Sequence, residues 1–338
     1  MISVLLPFRN AAATLHEAMA SVLADLGDGD ELVAIDDGSN DGSAGVARSL
    51  AGADPRVRLV DGGGSATRGA GIAAALIRGL AAARGELVAR MDADDVSLPG
   101  RFAAQQALLE RDASLAAVGV LVEGFPAPRP GMLRYIAWQD SLVTPSDHAR
   151  AIFCESPLCH PSTMLRRSAL VAVGGWRDDG HAEDYDLWLR LDAAGYGLAK
   201  VPRLLFRWRI RPDSLTWTDA RYAPERLLET RALHLASRLR SLGLPFLVWG
   251  AGQTGRRLAR ALEAHDLRPR AFIDIDPRKI GGVARGLPIV DAADGIARAR
   301  AAEALLVVAV GQPGARDVVR ARLADHGLVE GRAYVCAA

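Results

Sequence analysis

The stretch Leu87–Asp95 constrains the fold of this chain more than any other part of the sequence. Its first residues are apolar and follow Gly85, which predicts a buried strand. The strand ends in three carboxylates within four residues, at Asp92, Asp94 and Asp95. Ligands of open α/β sheets bind at the carboxyl ends of the strands, and oxygen ligands of this kind suit Mg²⁺ or Mn²⁺. The pattern favours a metal-bridged diphosphate site over the alternative of a simple acidic turn.

Strands and helices alternate around this stretch. The apolar segments Ile2–Leu6, Glu31–Ile35 and Val57–Val60 predict three further strands, each followed by a turn and a helix. We expect Pro7 to stop the first of them, and Thr14 to cap the first helix. Short loops between alternating strands and helices predict an α/β fold with a mostly parallel sheet and helices on both faces.

A second strand also ends in acid. Asp36 and Asp37 follow directly after Ile35, and the glycine-rich segment Asp61–Gly69 follows the next strand. A glycine-rich loop opposite two acidic strand ends is where a nucleotide would lie. The alternative, a mobile surface loop, does not explain why two separate strands end in paired aspartates.

Composition limits the classes of partner. A chain of 338 residues with half of them apolar should hold two domains. A net charge of +1 gives no reason to expect nucleic acid. All basic residues except Lys200 and Lys279 are arginine, which binds phosphate in a two-pronged manner. Three cysteines form no disulfide framework, and no apolar stretch reaches the roughly 18 residues of a membrane span. We expect a cytoplasmic protein, either soluble or peripheral at the inner face of the membrane.

Several short motifs follow one another in a fixed order. They are Pro7–Asn10 (PFRN), Ile35–Ser39 (IDDGS), Ala83–Glu86 (ARGE), Ala89–Asp95 (ARMDADD), His160–Arg166 (HPSTMLR), Gly174–Trp176 (GGW) and Glu183–Trp188 (EDYDLW). In this order they resemble the family 2 glycosyltransferases of the GT-A fold, over roughly the first 220 residues. The resemblance implies transfer of a sugar, with inversion, from a nucleotide-sugar donor to a hydroxyl of a glycan or lipid-linked acceptor, in bacterial polysaccharide or glycoconjugate synthesis.

The resemblance assigns the acidic strand end to metal and donor binding. Asp92 and Asp94 correspond to the DxD motif of the family, with Asp94 as the direct ligand of a divalent cation, Mg²⁺ or Mn²⁺. Asp92 would reach the ribose or a metal-bound water, and Asp95 would hold the loop.

Further donor-binding residues are implied by the same resemblance. Pro7 and Asn10 would form one wall of the nucleotide pocket. Asp36 or Asp37 would accept hydrogen bonds from the base or the ribose. Arg68 of the glycine-rich loop is also assigned to the donor.

The catalytic base implied by the family pattern is Asp184. It would remove the proton of the acceptor hydroxyl, and a helix N-terminus would keep it ionised while weakening it as a base. Glu183 and His160 would lie on the acceptor side. From the residues alone, Glu183 and Asp184 could equally complement the charge of the helix end, and His160 could equally be structural.

The segment Leu204–Arg211 alternates between apolar residues and arginines. The arginines at one face of this strand suit a polyphosphate, although a solvated edge strand is the alternative. Arg211 stands where the family pattern often has histidine, so we expect Arg209 and Arg211 to neutralise phosphate and no third protein ligand to bind the metal.

The remaining part of this half carries no readable code for an acceptor. Residues 124–133 predict a proline-rich loop and residues 135–150 an irregular segment. We place a glycosyltransferase domain at residues 1–222, a connecting helix at 223–243 and a second domain at 244–338.

The second domain shows the signature of a smaller Rossmann-like α/β unit. Gly250, Gly252 and Gly255 follow a predicted strand and open a helix, and Asp274 ends the next strand. The pattern suits NAD(P) or another nucleotide as a ligand. It suits equally a fold that binds no cofactor and serves oligomerisation or anchoring.

Two other functions compete with the enzyme hypothesis. One is a nucleotide-binding regulatory or scaffold protein whose transferase domain is inactive. The other is a nucleotidyltransferase, which would normally carry a glycine-rich loop after its first strand, where this chain has Pro7–Asn10.

Overall fold

The computed structural model describes residues 1–65, 67–312 and 314–338; Ala66, in the glycine-rich loop, and Pro313 lie outside the described residues. The contacts divide the chain into two compact units. The first comprises residues 1–148 and 157–219, and the second comprises residues 149–156 and 220–338. The helix Pro224–Leu242, predicted as a connector, is counted with the second unit.

The first unit is an α/β structure. Its strands are β1 (Ile2–Phe8), β2 (Glu31–Asp36), β3 (Val57–Asp61), β4 (Leu87–Arg90), β5 (Val96–Ser97), β6 (Leu115–Phe125), β7 (Met164–Arg166) and β8 (Gly197–Arg209). Its helices are α1 (Leu15–Leu23), α2 (Ser43–Ala53), α3 (Ile72–Ala82), α4 (Arg101–Arg111), α5 (Pro130–Asp140), α6 (Pro145–Ala151, ending in the second unit), α7 (Arg167–Ala172), α8 (Glu183–Ala193) and α9 (Leu215–Thr218). A 3₁₀ turn covers His160–Ser162.

The strands form one sheet in the order β3-β2-β1-β4-β7-β6-β8-β5. β1 to β4 run parallel, as do β6 and β8, whereas β7 and β5 run antiparallel to their neighbours. Helix α1 packs Leu15, Met19 and Val22 into the core, where all three are fully buried. The predicted mostly parallel sheet flanked by helices is confirmed.

The first strand is longer than the sequence predicts. β1 continues through Pro7 to Phe8, so the expectation that Pro7 stops it is wrong. N–H groups alternate in direction along a strand, and the carbonyl of Leu5 accepts from Met91 on the β4 side. Pro7 therefore turns its missing N–H toward β4, whose pairing with β1 has already ended at Leu5 and Arg90.

Two local predictions fail for a tertiary reason. The hydroxyl of Thr14 makes no cap to α1, and instead donates to the carbonyl of Ala93 over 2.9 Å. Residues 135–150 are largely helical, in α5 and α6, because two apolar residues of α5, Met132 and Ile136, are buried in the core and fix that helix. β6 was not predicted either; its apolar run alone cannot distinguish a strand from a helix.

The second unit contains its own sheet. Its strands are β9 (Phe246–Trp249), β10 (Phe272–Ile273), β11 (Val283–Ala284), β12 (Leu287–Val290), β13 (Leu305–Val308) and β14 (Tyr334–Cys336). Its helices are α10 (Pro224–Leu242), α11 (Gln253–Glu263), α12 (Ala292–Arg300) and α13 (Ala315–Asp325). The sheet order is β11-β12-β10-β9-β13-β14, and only β11 is antiparallel.

Within the described ranges, none of the helices combines the length and the apolar composition that crossing a bilayer requires.

Candidate active site

The acidic strand ends meet at one edge of the first sheet. Asp36 pairs with Phe8 across β2 and β1, and Arg90 pairs with Leu5 across β4 and β1. Neighbouring strands lie about 4.8 Å apart, so the ends of β2 and β4 are separated by about 10 Å. The residues that enter the antiparallel β7 lie at this edge too, since the N–H of Arg90 donates to the carbonyl of Thr163 over 2.8 Å.

The DxD segment directly follows β4. One oxygen of Asp92 lies 2.7 Å from the guanidinium of Arg90, a side chain that is almost fully buried. The side chain of Asp94 is one quarter exposed. Burial, and then repulsion from Asp92, raises the pKa of Asp94 to about 6, and Arg211 and Arg209 oppose this rise. A carboxylate whose ionisation is opposed by a neighbouring carboxylate, as that of Asp94 is by Asp92, is a group that a cation would stabilise.

The end of β8 closes over this segment. The N–H of Arg209 donates to Oδ1 of Asp95 over 2.7 Å, and its Nε donates to the carbonyl of Asp94 over 2.5 Å. Nη1 of Arg211 lies 3.7 Å from Oδ2 of Asp94. Asp95 is buried, and burial raises its pKa well above the usual range. Asp95 thus holds the loop and β8 together, as the resemblance implies.

Arg207, the remaining arginine of the segment Leu204–Arg211, forms its ion pair with a residue other than Asp94. Arg207 pairs with Glu123 over 3.0 Å. Its guanidinium and that of Arg209 both stack on the ring of Phe125, 4.3 and 4.4 Å from its centre, so the two arginines share one face. Arg209 also pairs with Glu17 over 2.7 Å.

The predicted nucleotide wall lies beside the end of β2. Asn10 has a left-handed φ of 51° and accepts the N–H of Asn40 over 2.9 Å. Asp36 accepts the N–H of Ser39 over 2.9 Å. The hydrogen bond from Asn40 to Asn10 joins the loops that follow β1 and β2, next to Pro7.

The glycine-rich loop is tied to the same strand end. Both oxygens of Asp37 accept backbone N–H groups, from Ala70 over 2.7 Å and from Gly71 over 2.9 Å, just before α3. Arg68 is exposed, and its backbone exchanges two hydrogen bonds with Ser65. Asp37 therefore positions the loop, whatever contact it makes with a ligand.

His160 lies in a buried cluster on the other side of β4. Its Nε2 accepts the indole N–H of Trp176 over 3.0 Å, which places the imidazole proton on Nδ1. That nitrogen is 3.6 Å from Oε1 of Glu183, which is also buried. His160 thereby connects the turn before β7 with the first residue of α8.

Asp184 is the second residue of α8 and is partly buried. Burial, followed by repulsion from Glu183, raises its pKa to about 6, while His160 acts in the opposite direction. The backbone N–H of Tyr185 at the helix N-terminus lowers this pKa, in the expected direction, but burial and the adjacent carboxylate outweigh it. A carboxylate with a pKa near 6 is well suited to accept a proton at neutral pH.

The donor atoms at Asp92 and Asp94 fit a hard divalent cation. They are carboxylate oxygens, and one or two protein carboxylates completed by substrate phosphates are the usual ligands of Mg²⁺. Among the described residues, no cluster of three or more His, Cys, Asp or Glu side chains could hold a metal by itself.

The glycine motif of the second unit has a distinct role at each position. Gly250 has a φ of 121°, and a Cβ at Gly255 would lie 1.9 Å from the carbonyl oxygen of Gly250. A Cβ at Gly252 would meet nothing within 4 Å. Asp274 accepts from the N–H of Ala251 over 3.2 Å and pairs with Lys279 over 2.9 Å. The glycine turn and Asp274 are therefore adjacent, as the motif predicts.

Sequence reasoning missed the buried polar residues of α4 and β4. Arg101 and Gln105 are fully buried, and Arg90 nearly so. A signal existed, because Arg101, Gln105 and Leu109 follow one another at intervals of four and must share a helix face. Polar side chains on the apolar face of a helix indicate internal hydrogen bonds.

The sequence model of glycosyl transferase family 2 matches residues 3–174, which is just over half of the chain. This protein belongs to that family. Two relatives illustrate the match. EpsE from Bacillus subtilis, which carries the name of a glycosyltransferase, is 30% identical over 220 residues, covering 63% of this chain and 73% of EpsE. The succinoglycan biosynthesis protein ExoU from Rhizobium meliloti is 29% identical over 257 residues, covering 71% of each chain.

Solved structures agree on the fold. TarS residues 1–349 from S. aureus, in complex with UDP-GlcNAc, superimposes with a TM-score of 0.56 at 16% identity, covering 78% of this chain and 72% of TarS. The mannosyltransferase PcManGT from Pyrobaculum calidifontis, in complex with GDP-Man and Mn²⁺, gives a TM-score of 0.50 at 19% identity, covering 95% of this chain and 79% of PcManGT. The first unit thus has the GT-A type of fold.

Proposed function

We propose that the first unit is an inverting, metal-dependent glycosyltransferase that uses a nucleoside-diphosphate sugar. The observation that carries this proposal is the convergence of Arg209 and Arg211 on Asp94 at the edge where β1, β2 and β4 end. Two carboxylates and two guanidinium groups at one strand end suit a cation and a diphosphate together. PcManGT, which has the same fold, binds GDP-Man with Mn²⁺.

The donor would span the edge of the sheet. Asp94 and Asp92 would hold the cation, which when bound neutralises the diphosphate of the donor. Arg209 and Arg211 would stabilise the charge that develops on the leaving diphosphate, commonly the largest catalytic contribution. Pro7, Asn10, Asp36, Asp37 and Arg68 would surround the nucleoside, which lies toward β2.

Asp184 would act as the catalytic base. As the acceptor oxygen forms its bond to the anomeric carbon, the bond from that carbon to the diphosphate oxygen breaks, and Asp184 takes the hydroxyl proton. Attack from the face opposite the leaving group inverts the anomeric centre. Glu183 and His160 would orient the acceptor and Asp184. At pH 7, a carboxyl with a pKa of about 6 is about nine-tenths ionised and ready to accept.

The acceptor would be a hydroxyl of a glycan or of a lipid-linked sugar, in bacterial polysaccharide synthesis. Relatives such as ExoU carry names from such syntheses. We place the enzyme in the cytoplasm, at the inner face of the membrane where the acceptor is lipid-linked.

The second unit would be a Rossmann-like nucleotide-binding domain. Its parallel strands follow the order β12-β10-β9-β13-β14, the order 3-2-1-4-5 of doubly wound dinucleotide-binding sheets. The open space at Gly252 leaves room for a pyrophosphate at the start of α11. Asp274 would reach the ribose only by exchanging part of its bonding to Ala251 and Lys279.

The test is a panel of nucleotide sugars with Mn²⁺, scored first for binding by thermal shift and then for release of the nucleoside diphosphate. We expect one donor to stabilise the protein only when the metal is present. Absence of binding by every donor, with the protein folded, would favour the alternative of an inactive scaffold. Thermal shift of residues 244–338 with NAD⁺ and NADP⁺, alongside the full chain, tests the second unit.

A further inference from the structure

Helix α4 places two polar side chains in the interior of the first unit. Arg101 and Gln105 are fully buried and lie one helical turn apart, and Nε of Arg101 donates to Oε1 of Gln105 over 3.2 Å. The guanidinium of Arg101 lies between the rings of Phe102 and Phe206, 5.1 and 4.8 Å from their centres. Burial of an arginine costs free energy unless its N–H groups are hydrogen-bonded. The acceptors of these hydrogen bonds therefore show which segments Arg101 holds together.

The partners of Arg101 belong to both sides of the site. A single nitrogen, Nη2, donates to the carbonyl of Arg90 over 2.7 Å and to that of Pro161 over 3.0 Å. Arg90 is the last residue of β4, two residues before Asp92. Pro161 follows His160 in the 3₁₀ turn. One guanidinium nitrogen therefore joins the strand that carries the acidic motif to the turn that carries His160.

Gln105 holds the same turn at the next carbonyl. Its Nε2 donates to the carbonyl of Ser162 over 2.9 Å and to that of Val118 in β6 over 2.6 Å. Because Oε1 of Gln105 accepts from Arg101, the amide orientation is fixed by the network. The turn is thus attached to α4 at two successive residues, and to β6 beyond it.

The 3₁₀ turn His160–Ser162 also contacts the start of α8. The imidazole of His160 accepts from Trp176 on one side and faces Glu183 on the other, at 3.0 and 3.6 Å. Glu183 directly precedes Asp184. A continuous series of contacts therefore runs from the end of β4, through Arg101 and the turn, to the residue proposed as the base.

We propose that Arg101 and Gln105 are positioning residues, which set the acceptor-side group of His160, Glu183 and Asp184 at a fixed place relative to the carboxylates of Asp92 and Asp94. This inference rests on the proposed function of Asp184. Its rival is that the buried pair only stabilises the core, in which case its loss would lower the amount of folded protein and not the turnover of the folded fraction.

The kinetic test compares Gln105→Leu and Arg101→Lys with Gln106→Leu. Gln106 is the next residue of the same helix, is partly exposed and bonds Glu110, so it is a matched control. We expect Gln105→Leu and Arg101→Lys to lower kcat at least about tenfold per folded enzyme, while the Kd for the nucleoside diphosphate with Mn²⁺ changes by less than about threefold. Gln106→Leu should match the wild type. An unchanged kcat, or loss of the folded state in both variants, would overturn the proposal.

A spectroscopic test needs no donor at all. The indole N–H of Trp176 reports directly on its bond to His160, and its NMR resonance is assigned by Trp176→Phe. We expect this resonance to shift in Gln105→Leu and Arg101→Lys and to stay in place in Gln106→Leu; a resonance that stays in place in all three contradicts the proposal. If the wild type transfers no sugar but the resonance responds, the proposed function fails while the connection from α4 to His160 stands.

Discussion

The N–H of Arg209 donates to the buried carboxylate of Asp95 over 2.7 Å. This hydrogen bond joins the end of β8 to the acidic segment after β4, two elements more than 110 residues apart in the sequence. The guanidinium of Arg209 bonds the carbonyl of Asp94, whereas that of Arg211 is held by both oxygens of Asp213 and lies 3.7 Å from the carboxylate of Asp94. Asp95 therefore helps to hold the charge of Arg209, which we assign to the diphosphate, without needing to touch the diphosphate.

Two substitutions of Asp95 distinguish the contribution of its hydrogen bond from the contribution of its charge. Asp95→Asn keeps an oxygen that can accept from Arg209, whereas Asp95→Ala leaves that N–H without its partner, at a cost of about 1–3 kcal/mol. We expect Asp95→Asn to retain most of the transfer activity and Asp95→Ala to lose at least about tenfold, measured as release of nucleoside diphosphate. Equal loss in both variants would mean that the carboxylate charge itself is needed.

Arg211 and Arg207, both in the segment Leu204–Arg211, should differ in their effect on donor binding. Arg211→Ala removes a charged hydrogen-bond donor beside Asp94, worth about 1.5–3 kcal/mol to a phosphate, so the affinity for a nucleoside diphosphate should fall about 10- to 100-fold. Arg207→Ala is the control, because Arg207 pairs with Glu123 and does not reach Asp94. Calorimetry measures the affinity of each variant for the nucleoside diphosphate and for the corresponding monophosphate. A larger effect of Arg207→Ala would contradict the assignment.

The sequence contained the acidic part of this site but not its assembly. Asp36 and Asp92–Asp95 were recognisable because each lies at the carboxyl end of its own strand, which is a local pattern. The bond from Thr14 to Ala93 and the bond from Arg209 to Asp95 join segments far apart in the chain, so no local pattern carries them. Local rules assigned Thr14 to a helix cap, and tertiary contacts overrode them.

The pH dependence of transfer should report Asp184 when donor and Mn²⁺ are saturating, because a bound cation keeps Asp94 ionised. The active form of a base is deprotonated, and the pKa of Asp184 is raised to about 6 by burial and then by Glu183. Activity should therefore be full above about pH 7 and fall about tenfold per pH unit below about pH 6. Asp184→Asn should abolish transfer and leave donor binding nearly unchanged. A profile that stays flat down to pH 4.5 would remove Asp184 from this role.

The same pKa has a consequence for stability. A carboxyl whose pKa is higher in the folded state than in the unfolded state contributes stability at low pH that is lost as the pH rises through about 6. Asp184→Asn should therefore raise the Tm relative to the wild type at pH 8, with little difference at pH 4. A lower Tm of Asp184→Asn than of the wild type at pH 8 would indicate that the folded protein stabilises the ionised carboxylate, which contradicts a raised pKa.

The glycines of the second unit allow a paired test. A Cβ at Gly255 would collide with the carbonyl oxygen of Gly250, so Gly255→Ala should destabilise the protein by at least about 1–3 kcal/mol. Gly252 faces open space, so Gly252→Ala should fold normally yet reduce any stabilisation by NAD⁺ or NADP⁺ in thermal unfolding. If neither dinucleotide shifts the Tm of the wild type, the alternative of a domain without this cofactor gains support.

The second unit also shows what a motif can and cannot predict. The spacing of Gly250, Gly252 and Gly255 indicated the strand, turn and helix, because Gly250 and Gly255 each answer a local steric need, whereas Gly252 faces open space. The contact of Lys279 with Asp274 was not foreseeable, since it depends on how the chain turns after β10. That contact occupies the carboxylate which the motif assigns to a ribose.

The central claim is that Asp94 and Asp92 hold a cation that binds the diphosphate of the donor. The most direct measurement is calorimetric titration of a nucleoside diphosphate into the wild type and into Asp94→Asn, each with Mn²⁺ and with a chelator. We predict tight binding only for the wild type with Mn²⁺, and an affinity for Asp94→Asn with Mn²⁺ that is no better than that of the wild type with the chelator. Metal-independent binding by the wild type, or undiminished metal-dependent binding by Asp94→Asn, would contradict the account.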